Sequence, residues 1–395
     1  MGRSRPSDLL VTGSPALLTH HEPLIAALGF ELGVISAVEI EDPNPIPEFV
    51  YFAREALSGK VWPPTRRQVS AARTRYAIRA STFDRLSDIS AGALATHGRG
   101  RFALQFFSRW SPALAHVTYP YGHYIDMTMA QVRRGWPSLA PFPSPFDYRI
   151  WLDREGRSYR RAARVFTFSE ATRRSVIEDY GADPERVVTV GAAGHAERPG
   201  PKDRAYGSKT LVFDGSDFAR NGGDRVIEAF RIVRESVPAA NLVIVDGPAM
   251  DEPGVESIGC VSHETRTGLF DRADIALAPT RLDVFPEFAL EAMSCGVVPV
   301  LSDAESMNEM LSDGLEGYVV SPPSAENLAE HVIELLTNIE SLSHMGARAQ
   351  CRIATGWNWH TVAGKIVTSL EAGGYVYRSP HVRSFTPEVA YGCSS

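Results

Sequence analysis

A chain of 395 residues is long enough for two domains with full cores. Its 44% hydrophobic and 22% charged residues are those of a globular enzyme, and a net charge of −7 argues against general nucleic-acid binding. No apolar run approaches the roughly 18 residues that cross a bilayer.

Residues 1–18 hold two arginines but only a short apolar segment and no cleavage site, so they do not read as a signal peptide. A strand is expected over 8–12, a helix to about 28, a strand over 32–40 and a proline-rich loop at 42–47. From Lys60 to Trp110 there are ten basic residues and two acidic ones, with Arg66, Arg67, Arg73, Arg75, Arg79 and Arg85 among Trp62, Tyr76 and Phe83. A solvated helix face accounts for such a run. The alternatives are peripheral contact of the 60–110 region with an anionic membrane, or attraction of a charged acceptor. Residues 119–128, with His123, Asp126 and Thr128, form a polar and aromatic cluster near an expected strand end, and 141–145 is a second proline-rich loop.

From residue 152 the alternation is plain: a helix over 152–163, a strand over 165–169, a helix over 170–180 capped by Ser169, and a strand over 187–190. The segment 194–207, rich in glycine, proline and charge, reads as a linker. A strand at 209–213 leads to a helix at 222–237 with Val226, Ala229, Phe230 and Val233 on one face, then a strand at 242–245. A strand over 275–279 is followed by a helix opened by Pro286 and closed by Gly296, then a strand over 297–301. A strand at 317–320 and helices at 325–336, 341–355 and about 359–370 complete the pattern. Strands alternating with helices predict an α/β protein built on parallel sheets. Cys260, Cys295, Cys351 and Cys393 show no paired spacing, so neither zinc nor a disulfide framework is expected, and a reducing cytoplasm is the default.

Two segments carry the chemistry. Gly215 to Gly223 joins a strand to a helix. Its glycines let the backbone approach a phosphate, and the helix start offers free N–H groups and a positive dipole end. Arg220 adds a guanidinium fork suited to phosphate oxygens. The second segment surrounds Glu291, the only charge between Phe288 and Ser302. A carboxylate in so apolar a stretch is costly to bury without partners. It stands where α/β folds bind ligands, beyond a strand end, and reads as an acceptor for hydroxyls such as a ribose diol.

Asp283 and Glu291, eight positions apart and followed by Ala292, Met293 and Gly296, resemble the acidic signature of retaining glycosyltransferases of the GT-B fold, the glycosyltransferase family 4 or group 1 type. Residues 163–174, 213–224 and 309–323 and the terminal helices also resemble that family, and the likeness runs from about 119 to 373. It implies two Rossmann-like domains facing a central cleft: an acceptor-binding domain over 1–200, a donor-binding domain over 207–355, and a helix and tail over 356–395 packing back on the first domain. In such enzymes the first acid meets the donor sugar and the second the ribose. The resemblance therefore gives catalytic roles to Asp283 and Asp126, and donor contacts to Gly215, Ser216, Asn221, Gly222, Cys260, Val284, Phe285, Glu287 and Glu291; Arg220 is expected to stand in, by its guanidinium fork, for the family's missing phosphate cations. Cys260 stands in the turn whose backbone would meet the base. His123 and Thr128 fall on the acceptor side.

The chain departs from the family at several of these positions. Asp283 replaces the usual Glu, and Val284-Phe285-Pro286 replaces Gly-Phe-Gly. Ser216 and Asn221 stand where an Arg and a Lys are common. Glu287 is a rival for the first acid, at the wrong spacing from Glu291. The expected activity is transfer of a hexose from a nucleotide-diphosphate sugar to a hydroxyl acceptor, whether a glycan, a lipid-linked or a small molecule. Configuration would be retained, with neither metal nor cofactor. A binding protein that has lost turnover with the Lys is the alternative. No hydrolase elbow or zinc-protease motif occurs, and Gly191-Ala192-Ala193-Gly194 lacks the dinucleotide-binding pattern.

Overall fold

The computed structural model describes residues 9–33, 35–41, 75–97, 102–112, 119–142, 144–194, 204–283, 285–304 and 306–378. The chain divides into two compact units, one running to Val190 and resuming at Ala363, the other spanning Gly191–Val362. The sequence reading put this change of unit within 200–207 and the return at 356.

In the first unit the strands are β1 (Leu9–Gly13), β2 (Ser36–Glu39), β3 (Phe102–Phe106), β4 (Tyr121–Ile125), β5 (Arg164–Thr167) and β6 (Val187–Thr189). They form one sheet in the order β2-β1-β3-β4-β5-β6, every pairing parallel. β1, β3 and β4 are buried along their whole length, as expected of parallel strands covered on both faces. The strand expected over 32–40 is shorter, because Leu32 ends the Glu22–Leu32 helix and Gly33 turns the chain at φ +93°. The helix expected from 152 begins at Pro145, with Ser144 accepting the Asp147 N–H as its cap. Proline at the first helical position lacks only an N–H that would be orphaned there. Residues 363–378 pack on this unit. Lys365 Nζ donates to the Val190 carbonyl at 3.4 Å, Arg164 Nε to Ser369 Oγ at 3.1 Å, and Arg378 Nε lies 3.4 Å from Glu31 Oε2.

The second unit holds β7 (Thr210–Asp214), β8 (Asn241–Val245), β9 (Val255–Ile258), β10 (Ile275–Ala278), β11 (Val298–Ser302) and β12 (Tyr318–Val320). Its sheet order is β12-β11-β10-β7-β8-β9, again all parallel. Alternate side chains of each strand serve opposite faces. Leu211 and Phe213 join the Gly223–Ser236 and Ala325–Thr337 helices through Val226, Phe230, Leu328 and Val332. Val212, Val243 and Ala276 join the His263–Phe270 and Glu287–Ser294 helices through Phe270, Phe288 and Ala292. Fully burying one such side chain contributes about 1.5–3 kcal/mol. The Glu287–Ser294 helix ends in a Schellman motif. Gly296 at φ +77° donates to the Met293 carbonyl, and Val297 to that of Ala292.

Six of the ten basic residues of the 60–110 region, namely Lys60, Arg66, Arg67, Arg73, Arg99 and Arg101, lie outside the described residues. Among the described residues no helix is long and apolar enough to cross a membrane. Cys351 is disulfide-bonded, which the cysteine spacing did not suggest, while Cys260 and Cys295 are free thiols.

Candidate functional site

The connections leave β7 toward β8 on one side and β10 toward β11 on the other, while β7 and β10 themselves pair. Such a switch in strand order opens a crevice at the carboxyl ends of the two strands, the place where α/β sheets take ligands. Here it gathers the turn after β7 and the loop after β10. The two are stitched together. Arg281 N–H donates to the Arg220 carbonyl at 2.8 Å, Thr280 Oγ1 to the same carbonyl at 3.3 Å, and Arg220 Nη1 to the Leu282 carbonyl at 2.9 Å. The Arg281 guanidinium spans both oxygens of Asp224 at 2.9 and 2.6 Å. Gly222 caps the Gly223–Ser236 helix at φ +85°, and a Cβ there would run into the Pro279 carbonyl oxygen.

Within the turn, Asp214 is the hub, a residue the sequence reading passed over. Its carboxylate accepts Ser216 N–H and Oγ–H, each at 3.0 Å, and Asn221 Nδ2 at 3.1 Å. Gly215 N–H is taken by the Val245 carbonyl at 2.7 Å. Ser216 and Asn221, expected to face a donor, are thus both engaged by Asp214; Ser216 stays exposed, while Asn221 is buried with its Oδ1 unbonded. The short reach of a serine and an asparagine, with a carboxylate at the strand end to bond, explains why both side chains turn to Asp214.

Arg220 and Asp283, expected from the resemblance to serve one site, do come together. Arg220 Nε pairs with Asp217 Oδ2 at 3.0 Å, and among the described residues its Nη2 has no bond. Asp283 is half-buried and its Oδ1 accepts the Phe285 N–H at 2.9 Å. Burial pushes its pKa up from the ordinary carboxylate value. The Phe285 N–H and the Arg220 charge pull it back, and Asp214 and Glu287 push it further up. Glu287 is half-buried in the first helical turn, and Phe285 packs its ring near Trp357 at 6.3 Å. Val284 lies outside the described residues. Cys260 is exposed in the connection between β9 and the His263–Phe270 helix.

Glu291 is fully buried, one turn further along the same helix. It does not stand as an open acceptor. Arg266 Nε, from the preceding helix, lies 2.9 Å from its Oε2, Arg266 Nη2 reaches Oε1 at 3.4 Å, and His263 Nδ1 stands 3.8 Å away. The ion pair accounts for the buried carboxylate that the sequence alone left without a partner.

In the first unit, His123 is enclosed in β4. The Phe107 carbonyl can only accept, so Nδ1 carries the proton at 3.3 Å, and Nε2 accepts from Ser158 Oγ at 2.7 Å. Burial lowers its pKa to about 4, and its neutral ring has no free face for an acceptor. Thr128 is likewise occupied. It caps the Met129–Gly135 helix in a capping box with Gln131, and its hydroxyl meets Ser175 Oγ at 2.7 Å. Asp126 stands half-buried just beyond β4, its Oδ1 accepting the Met127 N–H at 2.6 Å. Behind it, buried Glu155 collects Ser108 Oγ at 2.7 Å, Tyr159 at 3.0 Å and Tyr180 at 2.5 Å, and Tyr180 in turn accepts the Ala130 N–H at 3.0 Å. Burial raises the Glu155 pKa, and these donors oppose the rise. Among the described residues no group of three or more His, Cys, Asp or Glu is arranged to hold a metal ion.

Comparison with known proteins bears on this geometry. Residues 199–352 match the family described as glycosyl transferases group 1. D-inositol 3-phosphate glycosyltransferase of Geodermatophilus obscurus is 24% identical over 294 residues, 67% of this chain and 62% of that protein. The protein of the same name from Mycobacterium tuberculosis is 24% identical over 66% of this chain and 57% of that one. The chain thus spans less than two thirds of the length of these relatives. Among solved structures, sucrose-phosphate synthase from Thermosynechococcus elongatus superposes with a TM-score of 0.64 at 13% identity, over 92% of this chain and 99% of that one. The Anabaena protein HepE, in complex with UDP and glucose, superposes with a TM-score of 0.63 at 14% identity, over 92% and 99%. With its two parallel six-stranded sheets, the chain has the GT-B fold of two Rossmann-like domains, and its residues 199–352 are similar to the group 1 glycosyl transferases.

Proposed function

We propose that the protein transfers a sugar from a nucleoside-diphosphate sugar to a hydroxyl acceptor, with retention at the anomeric carbon and without a metal ion. The observation that carries this reading is the approach of Arg220 to Asp283 at the switch point of the second sheet. Asp283 accepts hydroxyls of the donor sugar. Arg220 turns its unbonded Nη2 to the diphosphate, with the start of the Gly223–Ser236 helix behind it. As the bond from C1 to the phosphate oxygen breaks, the acceptor oxygen bonds to C1 and its proton passes to the departing diphosphate. The side chains then act by positioning and by stabilising leaving-group charge. Glu291, held by Arg266, meets the ribose diol. Asp126, beyond β4, serves the acceptor.

UDP is the first nucleotide to test, since the Anabaena neighbour was solved with it. Calorimetry with UDP, GDP, ADP and dTDP, then incubation with the matching radiolabelled sugar nucleotides, decides the matter. Binding of a nucleotide together with transfer of label, the product anomer matching the donor by NMR, supports the reading. A protein that binds none of them and transfers nothing ends it.

A further inference from the structure

Glu291 is screened on two sides. Arg266 spans its carboxylate, and the Gly194 backbone lies against its stem, since a Cβ at Gly194 would stand 3.0 Å from Glu291 Cγ. The Glu291 side chain is fully buried, whereas that of Arg266 is 28% exposed and that of His263 48%. Both belong to the His263–Phe270 helix, on the connection that leaves the carboxyl end of β9. They lie three positions apart near its start, so they share a face. Arg266 is the member of this cluster that both spans the carboxylate and reaches solvent.

The pairing also fixes which donors Arg266 has left. Nε and Nη2 face the two oxygens of Glu291, at 2.9 and 3.4 Å. Among the described residues Nη1 makes no bond. A guanidinium is planar and carries five N–H groups and no acceptor. With one edge on Glu291, the edge formed by Nη1 and Nη2 remains. It offers donors only, in a plane that the buried carboxylate holds.

A ribose whose diol bonds Glu291 lies within two hydrogen-bond lengths of this guanidinium, roughly 6 Å. The base atoms nearest a 2′-hydroxyl are those on the sugar edge. There uracil and thymine present O2 and adenine presents N3, all acceptors, whereas guanine adds the N2 amino group, a donor. Against Arg266, that amino group would set donor against donor.

We propose that Arg266 selects the base of the nucleotide: it donates to the sugar edge, and the donor substrate carries a base with no amino group there. This rests on the reading of Glu291 as the ribose acceptor.

Calorimetry on the full chain compares nucleotides that differ at that edge alone: UDP with 2-thio-UDP, ADP with 3-deaza-ADP, and IDP with GDP, which adds only the amino group. The pair that holds the tightest-bound nucleotide decides. Expected for wild type is binding of its first member about tenfold or more tighter than the second, the weight of one hydrogen bond to a charged group. In Arg266→Ala that ratio falls to near one. The ratio isolates the base contact, because losing the partner of Glu291 weakens both members alike. Arg266→Lys keeps a cation beside Glu291 without the second edge, and it lowers the ratio even where the alanine variant does not fold. Equal affinities within the deciding pair, GDP as the tightest ligand, or a preference that survives the substitutions overturns the inference and leaves the donor reading standing. A chain that binds no nucleotide ends both.

Discussion

Arg266 and Glu291 form an ion pair inside the second unit, the guanidinium on one helix 2.9 Å from a fully buried carboxylate on the next. A carboxylate so placed holds the helices together, and the proposed function gives it a second task, accepting a ribose diol; the two can be separated. Glu291→Gln should lower the melting temperature. Breaking a fully buried pair costs roughly 3–5 kcal/mol, and the loss here should be smaller because the Arg266 side chain is 28% exposed. Glu291→Gln should also weaken UDP by about 1.5–3 kcal/mol while leaving 2′-deoxy-UDP nearly unaffected. Equal losses for the two nucleotides in calorimetry would show that Glu291 is purely structural.

Asp283→Asn should lower turnover more than it lowers free-nucleotide binding if, as proposed, the residue takes the hydroxyls of the donor sugar. It should also stabilise the protein at neutral pH. Burial raises the carboxyl's pKa in the folded chain above its unfolded value, so its stability contribution is complete at acid pH and is lost as pH rises through the raised value. The amide escapes that loss. Thermal unfolding at pH 7 reads the second effect, and an Asn variant less stable than wild type contradicts it.

Arg220→Ala should remove most turnover. Each 1.36 kcal/mol of lost leaving-group stabilisation is tenfold in rate. Arg220→Lys should recover little, because one ammonium cannot serve Asp217, the Leu282 carbonyl and a diphosphate together. Asn221→Lys should preserve or raise turnover by adding a second positive charge beside the turn. A fully active Arg220→Ala protein would remove Arg220 from the mechanism.

His123 makes the first unit sensitive to acid. Its folded pKa of about 4 lies below the ordinary value of 6.5, so it contributes stability above pH 6.5 that is lost as pH falls toward 4. The full loss is on the order of 3 kcal/mol. Melting temperatures across that range should fall more steeply for wild type than for His123→Gln. Parallel curves would mean that the ring titrates normally.

The alternation of the second unit was legible because parallel strands covered on both faces are short continuous apolar runs, and the helices between them carry one apolar face. The same rule failed at Leu32. An apolar run cannot distinguish a helix end from a strand start, and Gly33 ends the helix there. The meeting of Arg220 with Asp283 was legible only through resemblance, since the switch in strand order brings them together. The partner of Glu291 was not legible at all, because Arg266 belongs to another helix and no local period links them. His123 misled for the opposite reason. Its polar neighbours in sequence suggest a surface, but β4 lies inside the sheet, where its ring is enclosed.

The stitching of the turn after β7 to the loop after β10 sets the smallest piece of this protein that can be exchanged with a relative. Gly222 abuts the Pro279 carbonyl, Arg281 grips Asp224, and the Arg220 carbonyl serves both Thr280 and Arg281. Grafting residues 214–223 alone into another scaffold leaves each of these partners facing a stranger. A chimera that carries 214–224 together with 279–283 keeps the contacts intact, and donor preference should travel with the pair rather than with either half.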